Sequence, residues 1–112
     1  MAKQRFRKND RLTASADFRR CYRQGMRLRT ALFTVYAYHT DQGSVRLGLA
    51  VGKTVGAAVV RNRVKRRLRE IFRLHKASLP MGYDLFIRAT PASAQARYEA
   101  LEAAFCEAMA GL

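Results

Sequence analysis

Two spacings of apolar residues alternate along the chain, and each predicts an element. Phe18 and Tyr22 stand four apart, so they share one face of a short predicted helix whose remaining surface carries Arg19, Arg20 and Arg23. Thr13 or Ser15 suits its N-cap, and Gly25 its close. Residues 32–39 (LFTVYAYH) then alternate as a strand, with Phe33, Val35 and Ala37 on one face and Leu32, Thr34, Tyr36 and Tyr38 on the other. A turn over 40–44 leads to a second strand over 45–51. There Val45, Leu47, Leu49 and Val51 form an apolar face opposite Arg46, Gly48 and Ala50. The two strands are expected to pair as a hairpin, and the small face around Gly48 suits close approach of a ligand backbone.

A helical period follows from about 56 or 57 to 75. Ala57, Val60, Val64, Leu68 and Ile71 form its predicted buried stripe. Pro80-Met81-Gly82 breaks the chain before a further strand over 83–89. Thr90 is expected to cap a last helix that has Pro91 at its first position and Tyr98, Leu101, Phe105 and Met109 as its core stripe. Helix, strand pair, helix, strand, helix in that order reads as an α+β sandwich.

Charge changes the picture more than composition does. The chain has 112 residues, 49% of them hydrophobic, which suits a single domain over 1–112 with a modest core. Its net charge is +14. Residues 1–29 hold ten Lys/Arg against two acids, and residues 61–76 hold eight against one. The stretch 77–112 reverses the balance, with two Arg against four acids. Folding can merge the two basic blocks into one face, and a polyanion is the partner that such a face fits. Residues 1–12 read as a loose basic arm.

On the central helix, Arg61, Lys65, Arg69 and Arg73 make an i, i+4 row along one flank. Asn62 and Arg66 lie beyond them, and Arg63 and Arg67 occupy the other flank. Arginine forks match phosphate oxygens, and Asn62 can bond a phosphate or a base edge. A helix so uniformly cationic does not suit a reader of the DNA major groove. Basic charge beside aromatics at Phe18, Tyr22 and Tyr36 points to single-stranded or irregular RNA. Phe18 and Tyr22 fit core packing of the first helix equally well.

The chemistry of a protein-only nuclease is missing from the pattern. The eight acids show no ligand-like spacing on a strand or loop, and the glutamates of the last helix read as its solvent face. His39 and His75 each end an element. Cys21 and Cys106 lack metal-ligand spacing, so neither a disulfide framework nor a protein-bound metal is expected. Neither an apolar leader segment nor an 18-residue apolar run is visible, so the expectation is a cytoplasmic protein without a membrane partner.

An ordered set of short motifs resembles the bacterial ribonuclease P protein component. The set includes Arg11-Leu12, Asp17-Phe18, Val35-Tyr36, residues 47–51 (LGLAV) with Lys53, and Val55-Gly56. Arg61-Asn62-Arg63-Val64-Lys65-Arg66 follows, and then Tyr83-Asp84, Ile87-Arg88 and Pro91-Ala92. Thr54 and Ala57 depart from it, where the family often carries polar residues.

The resemblance implies an α+β two-layer sandwich in which three helices pack on a small mixed sheet of about four strands, in the order α-β-β-(β)-α-β-α. It also implies a left-handed β-α-β crossover, where strand geometry alone predicts a right-handed one. It implies a subunit of the ribonuclease P holoenzyme, an endoribonuclease that removes the 5′ leader of precursor tRNA. Catalysis would reside in a separate RNA, with magnesium ions bound chiefly by that RNA. Phe18, Tyr22, Tyr36 and Lys53 would line the cleft for the leader. Arg61, Asn62, Arg63, Lys65, Arg66, Arg67 and Arg69 would face the catalytic RNA. Holoenzyme stoichiometry stays open. The alternative on composition alone is a structural RNA binder, such as a ribosomal protein or RNA chaperone.

Overall fold

The computed structural model describes residues 10–112. Its elements are α1 (Ser15–Gln24), β1 (Met26–Arg29), β2 (Phe33–His39), β3 (Val45–Ala50), α2 (Ala58–His75), β4 (Tyr83–Ala89) and α3 (Tyr98–Met109). The four strands form one mixed sheet in the order β1-β2-β4-β3. β4 runs antiparallel to β2 and parallel to β3, so β3-α2-β4 is a parallel crossover unit.

The expected hairpin of β2 with β3 does not form, because β4 lies between them. β4 is apolar towards both faces: Leu85 and Ile87 enter the main core, and Phe86 packs on the opposite side. Such a strand gains most at the centre of a sheet. Asp84 fixes its neighbour, since it lies opposite Arg46 in the β3 register and binds that guanidinium at 2.7 and 2.8 Å.

The main core lies between the sheet and α2 with α3. Phe33, Val35, Leu85 and Ile87 from the sheet meet Val64, Leu68, Ile71 and Phe72 from α2 and Leu101 and Phe105 from α3. Ala57, expected in the buried stripe, is exposed just before α2, and Phe72 takes a buried place that the stripe omitted. On the other side of the sheet α1 covers a smaller cluster of Leu12, Cys21 and Tyr36. Helices therefore sit on both faces of the sheet.

Several predicted ends move. Ala14 occupies the N-cap of α1 without any side-chain cap bond, and Ser15 is already helical. Gly25 closes α1 in an extended conformation rather than a left-handed one, its N–H donating to Cys21 O. Thr90 and Pro91 open a short 3-10 turn over Pro91–Ala94, and α3 begins only at Tyr98. The Thr90 hydroxyl instead donates to the carbonyls of Ala31 and Leu32 at 3.1 and 2.9 Å. Residues 1–9 of the expected arm lie outside the described residues. Its last positions are held: Leu12 N–H donates to Leu47 O at 2.9 Å, and Arg11 bridges Leu47 beside β3.

Candidate nucleic-acid interface

The face of the sheet turned away from the main core is organised in rows that cross the strands. One row is Tyr38, Asp84 and Arg46; the next is Arg27, Tyr36, Phe86 and Gly48. α1 lies over both. In the first row Asp84 is 1% exposed and binds Arg46 through both Nε and Nη2. That bond raises the Arg46 guanidinium further above its ordinary value, so both groups stay charged. Arg20 of α1 completes the cluster, 2.9 Å from Asp17 and with its guanidinium 4.9 Å from the Tyr38 ring centre. Cys21 is buried beside it, its thiol 3.7 Å from the Asp84 carbonyl. Burial, helped by the Asp84 charge, pushes this thiol up to about 11.

The second row is aromatic. The Phe18 ring lies 5.3 Å from Phe86, Tyr22 lies 5.0 Å from Tyr36, and Tyr36 lies 5.9 Å from Phe86. The sequence places Tyr36 opposite the core face and so open to a ligand. α1 covers it instead, leaving it 7% exposed, while Tyr22 is 49% exposed and forms the outer lip. The small face at Gly48 is likewise filled from within, by Phe18. Phe86 belongs to this cluster but escaped the sequence reading. Its signal was the alternation in β4, which puts Asp84, Phe86 and Arg88 on one face.

α2 supplies the cations. Gly56 precedes it with φ 154°, a conformation that favours glycine, and the Gly56 carbonyl accepts a bond from Arg61 Nε at 3.1 Å. Lys65 and Arg69 line a cavity of about 210 Å³ together with Arg11, Thr13, Phe18 and Leu49. The cavity joins the aromatic cleft to the basic helix, so two predicted sets of residues meet there. Asn62 and Arg66 project into solvent, and Lys53 is exposed on the turn between β3 and α2. Arg63 and Arg67 turn the other way: Arg63 donates to Ala94 O at 2.9 Å and Arg67 to Ala96 O at 3.1 Å. Both carbonyls belong to the link into α3.

The remaining titratable groups are tied to each other. His75 meets Glu102 at 2.8 Å, Arg73 binds Glu70, and Lys76 binds Asp10 at 3.1 Å. The Arg73 guanidinium lowers the Glu70 carboxyl below its ordinary value. Among the described residues, no group of three His, Cys, Asp or Glu is placed to hold a metal ion. No helix there is long and apolar enough to cross a membrane.

The ribonuclease P family profile matches residues 6–112. The ribonuclease P protein component of Syntrophobacter fumaroxidans is 48% identical over 88 residues, which cover 78% of this chain and 74% of that protein. The fold matches that of the Staphylococcus aureus RNase P protein with a TM-score of 0.83 at 28% identity, covering 90% of this chain and 93% of that one. The Thermotoga maritima RNase P protein superposes with a TM-score of 0.83 at 25% identity, over 91% and 96% of the two chains.

Proposed function

This chain belongs to the ribonuclease P protein family, and on that premise we propose that it binds two RNAs at once. The family assigns it to tRNA 5′ processing within an endoribonuclease holoenzyme that contains RNA. In our reading α2 docks on the catalytic RNA through Arg61, Asn62, Lys65, Arg66 and Arg69. The cleft under α1, with Tyr22 at its lip and Phe18 and Tyr36 behind, receives the single-stranded 5′ leader of precursor tRNA. Lys53 adds charge where β3 gives way to α2. Arg63 and Arg67 hold α2 against the link into α3 while their remaining donors face outward.

The cavity shared by Phe18, Lys65 and Arg69 carries this reading, because it puts an aromatic platform and phosphate-binding cations within one side chain of each other. The protein's part is electrostatic and positional. Fixed cations between two polyanions reduce their repulsion and raise precursor affinity. Hydrolysis belongs to the catalytic RNA and the magnesium ions that it holds, in the cytoplasm.

The test is cleavage of a 5′-end-labelled precursor tRNA at low magnesium by protein alone, bacterial catalytic RNA alone, and both together. Correct maturation only with both is the expected result. Cleavage by protein alone would place an active site in the chain and overturn the division of labour. No rescue by a folded, RNA-binding protein would favour a structural RNA binder instead.

A further inference from the structure

A third row crosses the outer face of the sheet: Arg29 of β1, Thr34 of β2, Arg88 of β4 and Ala50 of β3, paired in register. It differs from its two neighbours in three ways. The side chains of α1 that reach the sheet fall on the first two rows: Arg20 on Tyr38 and Asp84, Phe18 on Phe86 and Gly48, and Tyr22 on Tyr36. Arg29 and Arg88 are exposed. Their charge is also unopposed. The first row neutralises Arg46 and Arg20 with Asp84 and Asp17, whereas among the described residues no carboxylate forms a salt bridge with Arg29 or Arg88. Two guanidinium groups on one open sheet face with no acid between them repel each other, which suits a site that an anion occupies.

The row is also connected. Ala50 ends β3, and the chain continues through the turn carrying Lys53 to Arg61 and Asn62 at the start of α2. From β1 to β3 the row spans three inter-strand spacings, roughly 14 Å. Its middle residues, Thr34 and Ala50, are small, so a backbone can lie close to the sheet between the two arginines. The aromatic row runs parallel to it two residues along each strand. A single strand laid across the sheet would therefore have bases on one side and phosphates on the other.

We propose that Arg29 and Arg88, with the Thr34 hydroxyl between them, are a phosphate track that holds successive leader phosphates, so that affinity depends on leader length. The inference rests on leader binding in the cleft under α1 and adds residues and a direction to it: across the strands, from the Lys53 turn towards β1. Both arginines are exposed and outside the core, so their replacement leaves the fold's packing in place.

The experiment measures holoenzyme affinity for precursors with leaders extended one nucleotide at a time, using wild type, Arg29→Gln/Arg88→Gln and Arg29→Lys/Arg88→Lys. Wild type should gain affinity as the leader lengthens. The Gln pair should lose about tenfold of that gain. Its log-log salt slope on the long-leader precursor should fall by about 1.4, two contacts at about 0.7 each for a single strand. The Lys pair should recover most of the salt slope but less of the affinity, because an ammonium keeps the charge without the fork. A Gln pair with the wild-type gain and slope would remove this track while leaving the cleft in place. A wild type without any leader-length dependence would overturn the cleft reading and this inference together.

Discussion

The Phe18 ring occupies the space that a side chain on Gly48 would need: a Cβ built on Gly48 comes within 2.3 Å of the ring. Gly48 thus seats Phe18 of α1 directly on β3, and through Phe18 it sets the height of the helix above the sheet. Leu12 closes the same spot, 3.2 Å from that Cβ position. Gly48→Ala should displace the ring and cost about 1–3 kcal/mol of stability, the usual range for overpacking. It should also weaken binding of leader-bearing precursor, although Gly48 touches no RNA. Urea denaturation and precursor affinity measured on the same variant check both effects. Normal values in both would mean that Phe18 does not depend on this seat.

The basic residues of α2 should separate into two classes under mutation. Arg63 and Arg67 each give a donor to a carbonyl of the link into α3. Their replacement by Ala should cost about 1 kcal/mol each in stability, the scale of a partly exposed charged hydrogen bond. Lys65→Ala and Arg66→Ala should scarcely change stability. Each should flatten the salt dependence of catalytic-RNA binding by roughly 0.7–0.9. Chemical denaturation set beside a salt series of binding isotherms reads both quantities. Equal slopes lost at all four positions would argue that the link to α3 is incidental.

The Cys21 thiol gives a pH dependence whose sign follows from its burial. Its folded-state value is raised to about 11 by burial first and by the Asp84 charge second, so above the ordinary thiol value the unfolded chain loses this proton before the folded one does. Stability from this group is complete below the ordinary value and declines as pH rises towards about 11. The loss is on the order of 2 kcal/mol. Urea unfolding of wild type and Cys21→Ala at rising pH isolates it, since tyrosines and lysines titrate in both. Parallel curves for the two proteins would show that the thiol is not shielded as the structure has it.

Much of the site was legible before the fold because it is written locally. The i, i+4 row of Lys65 and Arg69 and the pair Phe18 and Tyr22 need only a helix to be placed on common faces, and both helices form. Tyr36 was placed correctly on the face away from the core, yet its exposure was not, because that depends on α1 crossing above it. Arg46 and Asp84 lie 38 residues apart, and no local period relates them. The same holds for Arg29 and Arg88, which the sheet order alone brings into one row.

By itself the sequence determined which segments become helices and strands, which side of each is apolar, and where the positive charge concentrates. These are consequences of side-chain spacing and of backbone preference, which act over a few residues. Tertiary structure decided which strands are neighbours, and therefore what lies beside what on the outer face. β4 displaces the β2–β3 hairpin because an apolar strand bearing a buried Asp84 is most stable between two partners, one of which carries Arg46. That choice balances burial and ion pairing across the whole sheet, and no window of adjacent residues contains it.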